Sequence, residues 1–320
     1  MDKLKRIHII IFLFITLLLT ACSKESQDHI RNVGMIFTND ISDQPWDLKG
    51  YEGLQNIGEQ YGVDIFYEEN VTNQHEIIDV VDDFARKGTN LIFGHGHIYG
   101  RTFVEIADEF PGVHFVYLGG GYFDENVTSL NINAHAMSFF AGMIASKMSQ
   151  TNQVGIIASY EWQPEIEGFY EGVKYENSAV NVNIDILNER HTQEQAIHIY
   201  DKIKQKEVDV IYPVIDAYSK DLIERAQEDD IYSIGYLVDA QDIGGDMVLT
   251  STIQHIDQLY EHAAKRFNED GLEGGLLTFD FQDDVISLGP FNEDIPKDYQ
   301  SLIQQLIVNY KDMKQLPVEH

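Results

Sequence analysis

Residues 42–54 read SDQPWDLKGYEGL, and this stretch indicates the architecture of the 320-residue chain because it has a second copy. An apolar run precedes it, and Pro45 is followed six residues later by Tyr-Glu-Gly. At residues 160–173, YEWQPEIEGFYEGV, Pro164 is again followed six residues later by Tyr-Glu-Gly. Both loops contain Gln-Pro, a carboxylate and one of the two tryptophans of the chain. A motif that recurs in this way predicts two similar structural units.

Apolar, strand-like runs follow the same rhythm in both halves of the chain. In the first half VGMIF, VDIFY, NLIFG and VHFVYLG begin at positions 33, 63, 90 and 113, in steps of 30, 27 and 23 residues. In the second half VGIIA, VNIDIL, VDVIY and IYSIGYL begin at positions 154, 182, 208 and 231, in steps of 28, 26 and 23. Amphipathic segments at 74–87 and 192–206 fit crossover helices between such strands. The pattern predicts an α/β fold of two Rossmann-like lobes with parallel sheets, joined by a hinge.

We predict five regions along the chain. Residues 1–21 form a lipoprotein signal peptide, 22–32 a lipidated tether, 33–133 the first lobe and 134–251 the second lobe, and 252–320 hold hinge-crossing elements and a C-terminal helix shared between the lobes. The segment 134–148 is apolar enough for a buried helix at the junction, where Gly142 would permit close packing. Gly53 and Gly172, which end the two Tyr-Glu-Gly motifs, are also interpreted as packing glycines. The destination of two late strands, LLTFDF and VISLG, is only weakly indicated.

The amino terminus has the order of a bacterial lipoprotein signal. Three basic residues precede an apolar run at positions 7–19, and Leu-Thr-Ala-Cys closes it at Cys22. A transmembrane anchor is the alternative, but the run is short for a span of about 20 residues. We therefore expect acyl chains such as palmitate on Cys22 to hold the protein at the outer face of the cytoplasmic membrane. Because Cys22 is the sole cysteine, the sequence excludes a disulfide, a thiolate metal site and a cysteine nucleophile from the folded body.

The folded body is strongly acidic. Without residues 1–21 the chain keeps 19 basic and 52 acidic residues, a formal charge of −33. Such a charge repels phosphate backbones and anionic lipid, so direct nucleic-acid binding is not expected. A surface that simply keeps the protein soluble is the alternative interpretation of the charge.

The two Gln-Pro loops each join the carboxyl end of a strand to the amino terminus of a helix, where open parallel sheets bind ligands. If the lobes face each other, two aromatic plates and several acids flank one cleft. The candidate ligand contacts in these loops are Asp43, Trp46, Asp47 and Trp162. A purely structural interpretation competes with each of them. Asp47 would interact favourably with the helix dipole behind Pro45, and either tryptophan could cover the core.

Residues 94–100, GHGHIYG, follow the third strand and contain His95 and His97. The two histidines are too close for the i, i+4 pairing of a helical metal site, and the glycines match no phosphate-binding loop. We therefore interpret His95 as part of a ligand-binding wall, with a simple turn as the alternative. No catalytic motif, metal site or cofactor-binding motif is evident, so the sequence does not indicate an enzyme.

Several longer stretches carry a resemblance to a known family. They are ADEFPGVHFVYLGG, AMSFFAGMIASKMSQTNQVGIIAS, GFYEGVKYEN and MVLTSTIQHID, together with SDQPWDLKGYEGL. The chain resembles the basic membrane protein (PnrA-like) family of lipoproteins with the type I periplasmic binding protein fold. The resemblance implies that a nucleoside base stacks on Trp46, where the family has phenylalanine, and that acids bind the sugar. It equates Asp43 with a family aspartate and Asp47 with an asparagine.

The second lobe departs from the family pattern. PVIDAYSKD stands where the family has a glycine-rich turn, Leu237 replaces an aspartate, and Gln254 replaces a lysine. Loss of an acid and a cation should weaken or redirect binding, since an unpaired buried group costs about 1–3 kcal/mol. The residues that could build a different polar wall are Asp216, Tyr218, Asp239 and Gln254.

The resemblance implies a membrane-anchored, extracytoplasmic protein that binds a nucleoside-like small molecule. Within the family, the chain is similar to a lipoprotein named as a positive regulator of competence gene expression. The alternative function is that of the substrate-binding lipoprotein of a nucleoside ABC transporter. The partners implied are the small-molecule ligand, the membrane through Cys22, and an ABC permease or a membrane signalling protein. A cytoplasmic activator that binds DNA is opposed by the charge and by the signal sequence.

Overall fold

The computed structural model describes residues 29–42, 44–187, 192–215, 217–269 and 271–317. Within these ranges the strands form two six-stranded sheets, one for each lobe. Each sheet is covered by apolar clusters on both faces, as expected for a buried parallel sheet. In the part of the chain so described, no helix has the length and apolar character needed to cross a membrane.

The sheet of the first lobe is entirely parallel. Its strands are β1 (Asn32–Phe37), β2 (Asp64–Glu68), β3 (Leu91–His95), β4 (His114–Leu118), β5 (Val127–Ile132) and β11 (Gly275–Phe279). Their spatial order is β11-β5-β4-β3-β1-β2. The first of the two late strands thus joins the first lobe.

The sheet of the second lobe repeats this order with one antiparallel edge strand. Its strands are β6 (Gln153–Ala158), β7 (Asn181–Ile186), β8 (Val210–Val214), β9 (Tyr232–Leu237), β10 (Val248–Gln254) and β12 (Ile286–Leu288). The order is β12-β10-β9-β8-β6-β7, with β12 antiparallel to β10. The prediction of two similar parallel-sheet lobes is confirmed.

Helices connect the strands and cover the sheets. They are α1 (Pro45–Tyr61), α2 (Gln74–Arg86), α3 (Tyr99–Ile106), α4 (Ala134–Met148), α5 (Pro164–Glu176), α6 (Gln193–Lys204), α7 (Ser219–Glu228), α8 (Gln241–Gly244), α9 (Ile256–Glu269) and α10 (Lys297–Met313). The amphipathic pattern of residues 74–87 is explained by α2, which buries Ile77, Val81 and Phe84. Helix α6 begins with a reciprocal capping box between Thr192 and Gln195.

The described chain passes between the lobes at three adjacent points, Asn133, His255 and Asp280. The backbone N–H of Asn133 donates to the carbonyl of Phe279 at 2.9 Å. The Asp280 carboxylate accepts from the Asn133 amide at 2.9 Å and from the hydroxyl of Tyr310, on α10, at 2.5 Å. These bonds tie two of the crossings to each other and to the final helix.

Glycines allow the first helix of each lobe to approach the helix that arrives from the other lobe. Helix α5 packs on α4, and α1 packs on α9. A Cβ at Gly172 would lie 2.7 Å from the carbonyl carbon of Phe139, and one at Gly53 would lie 2.9 Å from Cα of Asp257. Gly142 faces the backbone of Phe169 in the same way. The interpretation of these residues as packing glycines is confirmed.

Candidate functional site: the cleft between the lobes

A cavity of about 650 Å³, here called the interlobe cleft, lies where the carboxyl ends of the strands of both sheets face each other. Residues that follow β1, β3, β4 and β6 line it, together with the ends of β5, β8, β9 and β10. This is the position at which open parallel sheets bind ligands. Its volume suits a molecule of the size of a nucleoside or sugar.

The two tryptophans border the interlobe cleft from opposite lobes. Trp46 lies in the first turn of α1, directly after Pro45, and its ring packs on that of His95 at a centroid distance of 5.2 Å. Trp162 is 71% exposed and stacks on Tyr160 at 4.9 Å and an angle of 17°. The loop holding this pair is fixed by Gln163, whose side-chain oxygen accepts from the backbone N–H groups of Ser159 and Tyr160. The cleft therefore offers two tryptophan rings for stacking: Trp46, which is packed on His95, and Trp162, which is largely exposed.

Asp47 and His95 lie behind the cleft wall. Asp47 is 1% exposed and accepts a hydrogen bond from Asn39, which does line the cleft, at 3.1 Å. His95 Nε2 is 3.5 Å from the Asp47 carboxylate, and Nδ1 is 2.7 Å from the hydroxyl of Tyr260 on α9. Burial lowers the pKa of His95 to about 3, so its ring is neutral at physiological pH. Both residues position Asn39 and Trp46, while their direct contact with a ligand stays a prediction.

Glu165, which sequence reasoning missed, is an acid of the second lobe that lines the cleft. It lies in the first turn of α5, directly after Pro164, and is only 4% exposed. The hydroxyl of Tyr236, on β9, donates to its carboxylate at 3.2 Å. Burial raises the pKa of this carboxyl. The signal was available in the repeat, because Glu165 lies within two residues of Pro164, as Asp47 does of Pro45.

The other predicted site residues fall into three groups. Gln254, at the end of β10, lines the cleft. Tyr218 packs against the apolar cluster that includes Leu222, and Asp239 accepts hydrogen bonds from Ser251 and from the backbone of Gln241. Neither is among the described residues that line the cleft. Asp43, Asp216 and the proposed lipidation site Cys22 lie outside the described residues. From the GHGHIYG loop, Gly96 and His97 line the wall while His95 is buried behind it.

The polar groups that line the cleft are mainly uncharged. They are the amides of Asn39, Gln44, Asn131, Gln163 and Gln254 and the hydroxyls of Ser159, Tyr160 and Tyr236. The described lining residues include no lysine or arginine, and the described chain holds no cluster of His, Cys, Asp and Glu able to bind a metal ion. The arrangement can stack a planar ring and hydrogen-bond its edges, but its described lining residues offer no lysine or arginine to neutralise a phosphate.

Two α/β lobes, three adjacent hinge crossings and a ligand-sized cleft at the carboxyl ends of the strands define a solute-binding protein with the type I periplasmic binding protein fold. A family model confirms this class from the sequence: it is described as ABC transporter substrate-binding protein PnrA-like and matches residues 30–317. The chain belongs to this family, the basic membrane protein (Bmp) family.

Three similar proteins add detail. Over 311 residues the chain is 39% identical to the transcriptional activator protein med of Bacillus subtilis (strain 168), covering 97% of this chain and 98% of that protein. A crystal structure described as a transcriptional activator of the comK gene from Bacillus halodurans aligns with a TM-score of 0.84 at 39% identity, covering 89% of this chain and 99% of that one. A purine-binding protein of Brucella abortus (strain 2308) is 23% identical over 278 residues, covering 85% of this chain and 79% of that protein.

Proposed function

We propose that this protein is a lipoprotein that binds a nucleoside-like molecule in the interlobe cleft and acts as a positive regulator of competence gene expression. The observation that carries the binding half is the cleft itself, with an aromatic plate from each lobe and uncharged hydrogen-bonding groups between them. A planar heterocycle with a hydroxylated sugar matches both kinds of surface. The lack of a lysine or arginine among the described lining residues favours a nucleoside over a nucleotide. Binding without a chemical step is proposed.

The ligand class is also supported by similarity, since one related protein is named as purine-binding. Two residues of the second lobe argue against a ligand identical to that of the purine-binding relative. Gln254 occupies the cleft wall where the family resemblance implies a lysine, and Leu237 stands at the end of β9 where it implies an aspartate. A changed polar set predicts an altered or weaker ligand. A weak or altered ligand suits a sensor better than a nutrient receptor.

The regulatory half rests on two similar proteins named as transcriptional activators. We propose that lipidated Cys22 holds the protein on the outer face of the cytoplasmic membrane, so that closure of the lobes is transmitted to a membrane signalling protein. The acidic body argues against direct contact with DNA. The second candidate, a substrate-binding lipoprotein that delivers nucleosides to an ABC permease, is favoured by the description of the family.

The binding half is tested by calorimetric titration of residues 23–320 with nucleosides, while tryptophan fluorescence is recorded. Base stacking on an aromatic side chain contributes about 1–3 kcal/mol, so Trp46→Ala should weaken binding at least about fivefold and reduce the fluorescence change. Tyr122→Ala is the matched control, because Tyr122 is an exposed aromatic of the first lobe that does not line the cleft. Lack of heat with every nucleoside, in a cooperatively folded sample, would refute nucleoside binding.

The two functions differ in the event that ligand binding triggers. A regulator predicts that Trp46→Ala alters expression of a competence reporter in cells without changing nucleoside uptake. A transport receptor predicts the reverse. Full reporter activation by a protein unable to bind nucleosides would separate the regulatory role from the cleft.

A further inference from the structure

We propose that Glu165 determines ligand specificity by accepting a hydrogen bond from an amino group on the edge of the bound ring, so that the cleft prefers amino-substituted heterocycles to their oxo counterparts. This inference rests on the proposed binding of a nucleoside-like molecule.

Glu165 has spare capacity to accept hydrogen bonds. In the described chain its donors are the Tyr236 hydroxyl and its own backbone N–H. A carboxylate can accept about four hydrogen bonds. Asp280, an equally buried acid at the hinge, receives donors from Asn133, Phe281 and Tyr310. Glu165 is thus a buried acid with fewer described donors than Asp280, and it lines the cleft.

Among the described residues, no lysine or arginine is recorded beside Glu165. Tyr236 comes from β9, and Tyr212, from the neighbouring β8, has its hydroxyl 2.8 Å from Thr252 and 3.3 Å from Ser138. The described residues that line the cleft contain neither lysine nor arginine. As far as the described residues go, this carboxyl keeps room for a hydrogen-bond donor supplied by a ligand.

The depth of Glu165 favours a ring edge over a sugar as the source of that donor. Trp162, three residues earlier on the same loop, is 71% exposed and lies at the mouth of the cleft, whereas Glu165 lies against the central strand β9. A ring that enters between the aromatic plates carries its edge to this inner wall, while sugar hydroxyls near the mouth can keep their water. A buried N–H requires an acceptor, and a ring carbonyl would instead set its lone pairs against those of the carboxylate.

The test uses purine nucleosides that differ at the 6-position of the ring and, in inosine, also by a proton on the adjacent N1, so the comparison of adenosine with purine riboside isolates the amino group. Adenosine carries an amino group there, purine riboside a hydrogen and inosine an oxo group. We expect residues 23–320 to bind them with decreasing affinity in this order, with adenosine about ten- to a hundredfold tighter than inosine, as for a hydrogen bond to a charged group. Equal affinities, or tighter binding of inosine, would overturn the inference. Since this series needs no variant, it stands even if a substitution disturbs folding.

Two variants assign the preference to the residue. Glu165→Gln supplies an amide that can donate as well as accept, so the adenosine-to-inosine ratio should fall to within about threefold of one. Glu167→Gln is the matched control, because Glu167 is an exposed acid of the same helical turn and should leave the ratio unchanged. A ratio that survives in Glu165→Gln would refute the assignment.

A third arm distinguishes the source of the donor. If 2′- and 3′-deoxyadenosine lose affinity in the wild type but not in Glu165→Gln, then Glu165 binds the sugar and the amino assignment is wrong. Failure of every nucleoside to bind would overturn the nucleoside assignment itself, whereas binding without discrimination at the 6-position would overturn only the role of Glu165.

Discussion

Gly172→Ala tests whether the close crossing of α4 and α5 is as tight as the structure indicates. The new Cβ would lie 2.7 Å from the carbonyl carbon of Phe139 and closer still to its oxygen. Carbon atoms pack best at about 3.5 to 4.0 Å, so the two helices would have to separate by roughly 1 Å. Overpacking in a core costs about 1–3 kcal/mol. Because the obstacle is helical backbone and not a side chain that can rotate, we expect the free energy of unfolding to fall by about 3 kcal/mol.

The measurement is chemical and thermal unfolding of residues 23–320. A loss of about 3 kcal/mol should lower the melting temperature by roughly 6–12 °C for a unit of this size. Gly112→Ala is the control, since a Cβ there meets nothing within 4 Å, and its effect should stay within about 0.5 kcal/mol. If the free energy of unfolding of Gly172→Ala lies within about 1 kcal/mol of that of Gly112→Ala, then the crossing of the two helices is looser than the structure shows.

Two further predictions concern the hinge and the response to pH. Asp280→Ala should lower the free energy of unfolding by about 2 kcal/mol in urea titrations, because it removes the acceptor of Asn133 and Tyr310, while Tyr310→Phe should lower it by about 1 kcal/mol; equal effects of the two substitutions would contradict this. Burial lowers the pKa of His114 to about 4 and that of His95 to about 3, whereas an unfolded histidine has a pKa of about 6.5. Because protonation is easier in the unfolded chain, the stability that these neutral rings contribute is fully present above about pH 6.5 and is lost as the pH falls towards their folded pKa values. His114→Asn should make stability fall less steeply between about pH 6 and 4, and an unchanged slope would show that His114 is not buried as a neutral ring.

Much of the fold could be predicted because parallel strands buried on both faces are nearly continuous apolar runs. The eight runs that set the rhythm of the two halves are all strands, and the helix at 134–148 has the predicted bounds. Strand β5 was missed because its sequence, VTSLNI, mixes apolar with polar residues and forms no continuous apolar run. These are buried through specific partners: Thr128 bonds to the carbonyl of Glu273, and Ser129 to that of Gly120. Such long-range partners leave no local pattern.

The candidate site could be predicted less well, for a related reason. A position after a strand indicates that a residue is near the cleft, and it located Trp46 and Trp162 at its border, while the family resemblance pointed to Gln254. It does not tell which way a side chain turns. His95 and His97 are two residues apart, yet His95 is buried against Tyr260 while His97 lines the wall. That outcome depends on α9, which comes more than 150 residues later in the chain.

The structure also links the wall of the cleft to the hinge through short stretches of backbone. Gln254 lines the cleft, and the next residue, His255, is a crossing whose backbone N–H donates to the carbonyl of Val285 at 2.7 Å. Helix α9 begins at the residue after that and packs on α1, whose first turn carries Trp46. A ligand held between Trp46 and Gln254 would therefore contact both ends of one connection through the hinge. A ligand that binds the closed arrangement of the lobes more tightly than the open one shifts the equilibrium towards the closed arrangement by that difference in binding free energy. If the cleft binds its ligand and closes as proposed, a substitution at position 254 should change the coupling between binding and closure as well as the affinity.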